Sequence, residues 1–158
     1  MSDAAPHPHA ASRQGPGVAA GVTEALIQDQ VHTFYGRVRK DPALGPIFDR
    51  TITDWDHHLA KMCDFWSSVL LLTGRFKGAP MAAHAALPTI RPTHFARWLH
   101  LFAQTAHEVC PPKAAELFIA RSQVIGEALQ LHLASVRNES AWILAAILGD
   151  AAPEEPRQ

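Results

Sequence analysis

The sequence predicts an all-α fold. Apolar residues recur at helical spacing in four long segments, Pro- and Gly-containing turns separate these segments, and no segment shows the alternation of a strand. The chain has 158 residues, which suits one domain. We therefore predict a disordered N-terminal tail over residues 1–21, a helical domain over 22–135, and a C-terminal extension over 136–158 with a short apolar helix and a disordered end.

Bulk composition excludes several classes of protein. The chain is 47% hydrophobic and 18% charged with a formal net charge of -1, so it lacks the basic footprint of a nucleic-acid-binding protein. No apolar run approaches the roughly 20 residues of a membrane helix, and the first residues do not follow the pattern of a signal peptide. The 2 cysteines form no CxxC motif, which favours buried thiols in a cytoplasmic protein over a disulfide.

The first helix is predicted from Thr23, a good N-cap residue, to about residue 40. Tyr35 lies on or beside its apolar face, and a buried tyrosine usually finds a partner for its hydroxyl. The Asp-Pro and Gly-Pro pairs of residues 41–46 predict a turn, after which Ile47 and Phe48 should enter the core. The apolar face is formed by Leu26, Ile27, Val31, Phe34, Tyr35 and Val38.

The second long helix is predicted to open at Thr53. His58 precedes Met62 by one turn on the apolar stripe and should point inward, whereas His57 is rotated away toward solvent. Taken alone, an inward histidine is more often an ordinary core residue than a ligand. Lys61 lies at the edge of the stripe, which comprises Trp55, His58, Leu59, Met62, Phe65, Trp66, Val69 and Leu70.

A very short helix between Pro80 and Pro88 carries His84 among small apolar residues. About two turns are too few to be stable alone. Either packing or a bond to His84 must therefore hold this segment.

Two further helices complete the prediction. One begins at Pro92 and ends before Pro111, with Phe95, Trp98 and Phe102 on its apolar face. The other covers residues 113–135, and residues 140–148 form a separate apolar helix that docks on the body or on a partner chain. The predicted core side of the long final helix is Leu117, Phe118, Arg121, Val124, Ile125, Ala128 and His132.

In this order the segments resemble the truncated haemoglobins, most closely their third group. The resemblance covers residues 22–135 and lacks the glycine pairs that the other two groups usually carry. It implies a two-over-two helical sandwich around one haem b. The matching segments are residues 34–48, 55–58, 65–66, 78–88 and 95–102.

The resemblance also implies a role for each candidate site residue. His84 matches the proximal haem ligand, and neutral imidazole is a good ligand for haem iron. Tyr35, His58 and Trp98 match the distal residues, where phenol and indole groups can donate hydrogen bonds to a partly negative dioxygen. The positions that match haem contacts are Phe48, Phe65 and Phe95, with Met62 on the distal floor and Lys61 as the candidate propionate contact.

Three functions remain open at this point. The first is reversible binding of dioxygen and other diatomic ligands. The second is an enzyme that converts nitric oxide to nitrate or reduces peroxide; since no flavin or nicotinamide motif is visible, it would need an external reductase. The third is a non-haem helical module that pairs with a partner through the apolar segment around Trp142. The chain is expected to be a monomer or a weak homodimer.

Overall fold

The computed structural model describes residues 14–78 and 90–148, with side chains as far as residue 136. The predicted tails at residues 1–13 and 149–158, and the segment carrying His84, lie outside the described residues. None of the described helices combines the length and apolar character needed to cross a bilayer. In chain order the helices are α1 (Pro16–Ala19), α2 (Glu24–Lys40), α3 (Gly45–Thr51), α4 (Trp55–Leu71), α5 (Pro92–Val109) and α6 (Pro112–Leu148).

The long helices form two layers. Helix α2 packs on α4, α5 packs on α6, and α2 also contacts α5, so that one pair lies over the other. Helix α3 packs on α2, and α1 packs on α4. The part of the chain that the structure describes contains helices and no strand. The predicted all-α, two-over-two fold is therefore confirmed.

Side-chain caps set the start of both helices in the first layer. The hydroxyl oxygen of Thr23 accepts a hydrogen bond from the Leu26 amide at 3.1 Å, as the sequence predicts. In α4 the cap is Asp54, whose Oδ1 accepts from the His57 amide at 3.1 Å. The prediction that Thr53 caps the start of this helix is therefore wrong by one position, because the carboxylate of Asp54 is the group that reaches the free amide.

Phe102 lies at the centre of the core and joins the two layers. Its side chain is 1% exposed. Its ring stacks with those of both Trp66 and Trp98, at centroid distances of 5.1 and 5.4 Å. Phe34 and Phe118 meet it edge-on at 5.0 and 6.2 Å. These five aromatic residues come from all four long helices, so Phe102 and its neighbours fix the positions of those helices relative to one another.

A buried amide sets the register between α2 and α5. Gln30 is fully buried and its Nε2 donates a hydrogen bond to the Phe102 carbonyl at 3.2 Å. Buried polar side chains require such partners, so sliding α2 along α5 would leave this amide unsatisfied. Nearby, Arg37 donates to the Thr105 hydroxyl at 3.2 Å and pairs with Glu108. These contacts hold the register that places Tyr35 and Trp98 at one end of the helix pair.

The N-terminal part of the described chain is more ordered than the sequence predicts. Residues 16–19 form α1, and Gly15 and Gly17 are buried against α4. A Cβ atom at Gly15 would lie 2.2 Å from the Leu70 carbonyl oxygen, and one at Gly17 would lie 2.9 Å from it. Glycine at both positions is what allows the two backbones to approach. For residues 14–21, the prediction of a disordered tail is therefore wrong.

The C-terminal helix differs from the prediction in two ways. Helix α6 runs without interruption from Pro112 to Leu148, whereas the sequence predicts a break near residue 138 and a separate short helix. Its buried face is also rotated, because Arg121 is exposed and Val124 is 60% exposed. Its packed face combines small residues with Phe118 and two leucines. Between residues 112 and 136, where side chains are described, the buried residues are Ala114, Ala115, Phe118, Ser122, Gly126, Leu129 and Leu133.

Asp41 ties the turn after α2 to α5. Its side chain is 4% exposed, and its Oδ2 accepts a hydrogen bond from Arg97 Nε at 2.8 Å. Its Oδ1 accepts from the amides of Ala43 and Leu44 at 3.0 Å. Burial by itself raises the pKa of this carboxyl, but the amide hydrogen bonds and the Arg97 guanidinium together hold the pKa below its usual value.

We expect Asp41→Asn to lower the free energy of unfolding at neutral pH by about 1–3 kcal/mol, which is the range for hydrogen bonds to a charged group. The loss stays in this range because the Arg97 guanidinium is half exposed and regains part of its hydration in the variant. A carboxyl whose pKa is lowered on folding stabilises the protein above its unfolded pKa of about 4. That contribution disappears as the pH falls through the lower folded pKa. Urea unfolding at neutral pH and at about pH 3 should therefore show a smaller difference between the proteins in acid. The control is Asp29→Asn, at an exposed position of α2; an equal effect there would contradict the assignment.

Candidate functional site

Helices α2 and α4 bring Tyr35 and His58 together. Tyr35 belongs to the buried face of α2 and is 6% exposed. The tyrosine ring and the imidazole ring are perpendicular, with centroids 5.0 Å apart. His58 is half-buried, and its Nε2 atom is buried, whereas the neighbouring His57 is exposed as predicted. The structure thus places two of the predicted distal residues in direct contact.

Trp98, the third predicted distal residue, belongs to the same aromatic cluster. Phe34 contacts both the Tyr35 ring and the Trp98 ring, at centroid distances of 4.9 and 5.2 Å. Tyr35 also contacts Phe48 from α3 at 6.2 Å. The hydroxyl and the indole N–H, which are the two donors, therefore come from different layers of the fold and are joined by one phenylalanine.

An apolar pocket lies beside this cluster. Its enclosed volume is about 20 Å³, room for about one water molecule. Phe48, Phe95 and Trp98, which are three of the predicted haem contacts, line its wall. Among the described residues, its lining is hydrophobic apart from one imidazole and one indole N–H, the kind of lining that is typical of small-molecule sites. The described lining residues are Leu44, Phe48, Ile90, His94, Phe95, Trp98, Gly126 and Leu129.

The remaining predicted site residues occupy different environments. Met62 and Phe65 are half-buried on α4 and pack against the main core. The Phe65 ring also contacts Phe76, with centroids 5.3 Å apart. Lys61 is exposed on α4 one turn after His58, so its ammonium group is free to lie near the rim of the site. His84, the predicted proximal ligand, lies outside the described residues.

Five lining residues were not singled out by the sequence as site residues: Leu44, Ile90, His94, Gly126 and Leu129. Of these five residues, His94 could have been noticed in the sequence, because it closely follows Pro92 at the start of α5. Its Nδ1 accepts a hydrogen bond from the Arg91 amide at 2.9 Å, which places the proton of the neutral imidazole on Nε2. Arg91 and His94, which form this cap, have the spacing of a capping box in the sequence, but histidine is not among the usual capping residues.

Gly126 allows α6 to approach α5 closely at the pocket. A Cβ atom there would lie 3.3 Å from both terminal methyl groups of Leu99, which is tighter than ordinary contact. Leu129, one turn later, packs with Ile90, Phe95 and Leu133 in a second small cluster. Ile90, Phe95, Gly126 and Leu129 therefore bring the start of α5 and the middle of α6 to the wall of the pocket.

Burial controls the protonation of the site's phenol. The surroundings of Tyr35 are aromatic, and burial raises the pKa of its hydroxyl well above the ordinary value. The group therefore keeps its proton at neutral pH. A protonated phenol is a hydrogen-bond donor, whereas a phenolate is not.

The two-over-two helical fold, with a tyrosine–histidine pair beside an apolar pocket, defines a truncated globin. A scan against models of protein families finds no match. The chain is, however, 33% identical over 113 residues to the group 3 truncated hemoglobin ctb of Campylobacter jejuni, over 69% of this chain and 89% of that protein. A crystal structure of a group III truncated hemoglobin from Campylobacter jejuni aligns with a TM-score of 0.68 and 34% identity, covering 71% of this chain and 91% of that one.

The chain therefore belongs to the group III truncated haemoglobins. Membership of this family implies a haem cofactor. The resemblance described from the sequence motifs is thereby confirmed.

Proposed function

We propose that the protein binds haem b, and that it binds dioxygen and other diatomic ligands at a distal site formed by Tyr35, His58 and Trp98. The observation that carries this proposal is the contact between Tyr35 and His58, whose rings are perpendicular with centroids 5.0 Å apart. This contact lies beside an apolar pocket whose wall contains Trp98. Family membership supports the same function.

Haem supplies an iron centre that holds a diatomic ligand, and the chain supplies the groups around it. Tyr35 is a buried donor whose raised pKa keeps its proton in place. The indole N–H of Trp98 can only donate. His58 can donate or accept according to its tautomer, and it contacts the Tyr35 ring directly. Dioxygen, which accepts hydrogen bonds when it carries partial negative charge, is therefore favoured over ligands that accept them poorly.

The remaining assignments concern the cofactor itself. We propose His84 as the proximal ligand, because neutral imidazole binds haem iron and no other histidine matches this position of the family's motif. Phe48 and Phe95 line the apolar pocket and would contact the porphyrin. Met62 would form the floor on the distal side, Phe65 would pack against the haem, and Lys61 would reach a propionate from the exposed edge of α4.

The distal hydrogen bond gives a direct test. We expect Tyr35→Phe to raise the dissociation rate of dioxygen by about 10- to 150-fold, because a hydrogen bond to a charged partner is worth about 1.5–3 kcal/mol. Carbon monoxide is a poorer acceptor and should dissociate at nearly the same rate from both proteins. Stopped-flow ligand exchange on the hemin-reconstituted, reduced chain measures both rates. Equal dioxygen rates in the two proteins would contradict the assignment of Tyr35, and failure of the intact chain to develop a Soret band with hemin would contradict haem binding.

An enzymatic role is the second candidate, and the polarity of the distal residues favours it. A phenol and an imidazole in contact can donate protons or hydrogen bonds to a reacting oxygen species, which would assist conversion of nitric oxide to nitrate or reduction of peroxide. Sustained turnover would require an external reductase. Mixing the oxygenated protein with nitric oxide in the presence of a reductant discriminates between the two: repeated cycles of nitrate formation support the enzyme, and a single cycle supports binding alone.

A further inference from the structure

Trp55 contacts both members of the tyrosine–histidine pair. It is the first residue of α4, one turn before His58. The centroid of its ring lies 5.7 Å from that of His58, with an interplanar angle of 87°, and 6.0 Å from that of Tyr35. The His58 imidazole therefore contacts two aromatic rings, each nearly perpendicular to it. Rotation of the His58 side chain out of its position would break both ring contacts.

Arg39 holds the Trp55 ring. Its guanidinium carbon lies 4.5 Å from the centroid of the indole, close enough for a cation–π interaction. Arg39 comes from the last turn of α2, so this contact joins the end of α2 to the start of α4. The Asp49 carboxylate of α3 lies 3.9 Å from Arg39 Nε, but both side chains are about half exposed and this ion pair contributes little.

We propose that Trp55, held by Arg39, restrains His58 beside Tyr35 and thereby limits the rate at which diatomic ligands reach the Tyr35 hydroxyl. Trp55 and Arg39 are positioning residues in this proposal, because they act through His58. The proposal rests on the proposed function of the distal site. It adds a control on ligand access that comes from residues outside the pocket lining.

Carbon monoxide is a suitable probe, because its recombination after flash photolysis measures access to the site. We expect Trp55→Leu to accelerate recombination by about 2- to 12-fold, the range for loss of an aromatic pair. Arg39→Met should accelerate it by about 2- to 5-fold, because a partly exposed cation–π contact is weaker. Arg39→Lys keeps a cation and should remain close to the original rate. The matched control is Arg50→Met, which removes the same charge from an exposed position of α3 and should leave the rate unchanged.

A double variant separates restraint from simple obstruction. In a His58→Ala background, Trp55→Leu should have no further effect on recombination, since the restrained side chain is absent. An equal acceleration in both backgrounds would show that Trp55 blocks the path by its own bulk, and the proposal would be overturned.

Nuclear magnetic resonance supplies a readout that is independent of ligand rates. The His58 ring protons lie close to two aromatic rings, so their chemical shifts should move in Arg39→Met, which leaves both rings in the protein, but not in Arg50→Met. Unchanged shifts and unchanged rates, in proteins that take up hemin and carbon monoxide normally, overturn the restraint alone. An intact chain that fails to bind hemin or carbon monoxide instead overturns the proposed function.

Discussion

Replacement of His84 by alanine should accelerate loss of haem by at least about 100-fold, since even the groups that merely orient a metal ligand change metal affinity by about 10- to 100-fold when removed. The prediction follows from the assignment of His84 as the proximal ligand. Without that imidazole, only contacts with the surrounding side chains would retain the porphyrin. Haem transfer to an excess of a haem-scavenging apoprotein measures the rate, and the decay of the Soret band reports it.

Two controls make this result specific. His100→Ala removes an exposed histidine of α5 and should leave haem retention unchanged. Free imidazole added to the His84→Ala protein should restore part of the original spectrum, because it can bind where the side chain was removed. If His84→Ala keeps its haem as the original protein does, another residue holds the iron and the assignment is wrong.

Replacement of Phe102 by alanine should lower the free energy of unfolding by about 3–5 kcal/mol, the usual cost of truncating a buried phenylalanine. Phe102 is 1% exposed, and its ring stacks with those of Trp66 and Trp98. Removing it leaves a cavity where all four long helices meet, and rigid neighbouring rings cannot easily fill such a space. Urea unfolding followed by circular dichroism measures the loss.

The comparison must be made on proteins in the same cofactor state, because a bound cofactor adds its own stabilisation. Leu131→Ala is the matched control, since Leu131 is 72% exposed on α6 and surface substitutions usually change stability by less than about 0.5 kcal/mol. A loss below about 1.5 kcal/mol for Phe102→Ala, which is well short of a cavity in a rigid core, would contradict the central role of this ring.

Local signals predicted most of the fold. Thr23 and the Asp41-Pro42 pair bound α2 in the sequence, and the structure begins and ends that helix at the same residues within one position. Helix α6 was harder, because apolar residues occur all around it and their spacing does not select one face. The packed face is instead the one with small residues such as Ser122 and Gly126, which allow close approach to α5. A search for a stripe of hydrophobic residues does not detect these small residues.

The sequence predicted which residues face the candidate site better than it predicted the shape of that site. Tyr35 and His58 each lie on an apolar face, so their inward orientation followed from helical spacing. Their contact, and the position of Trp98 beyond Phe34, depend on how α2, α4 and α5 cross, which no local pattern determines. Ile90, Gly126 and Leu129 reach the pocket through the same packing and carry no chemical signal of their own. The family resemblance is what grouped Tyr35, His58 and Trp98 into one predicted site, because local spacing could not do so.

The stacking of Trp66, Phe102 and Trp98 has an optical consequence. Trp66 is buried in the core, and Trp98 is half-buried, stacks with Phe102 and also lines the pocket. An excited indole transfers its energy efficiently to a porphyrin at short range, so a bound haem would quench the fluorescence of Trp98. The intrinsic fluorescence of the chain therefore reports the fraction of the protein that carries its cofactor.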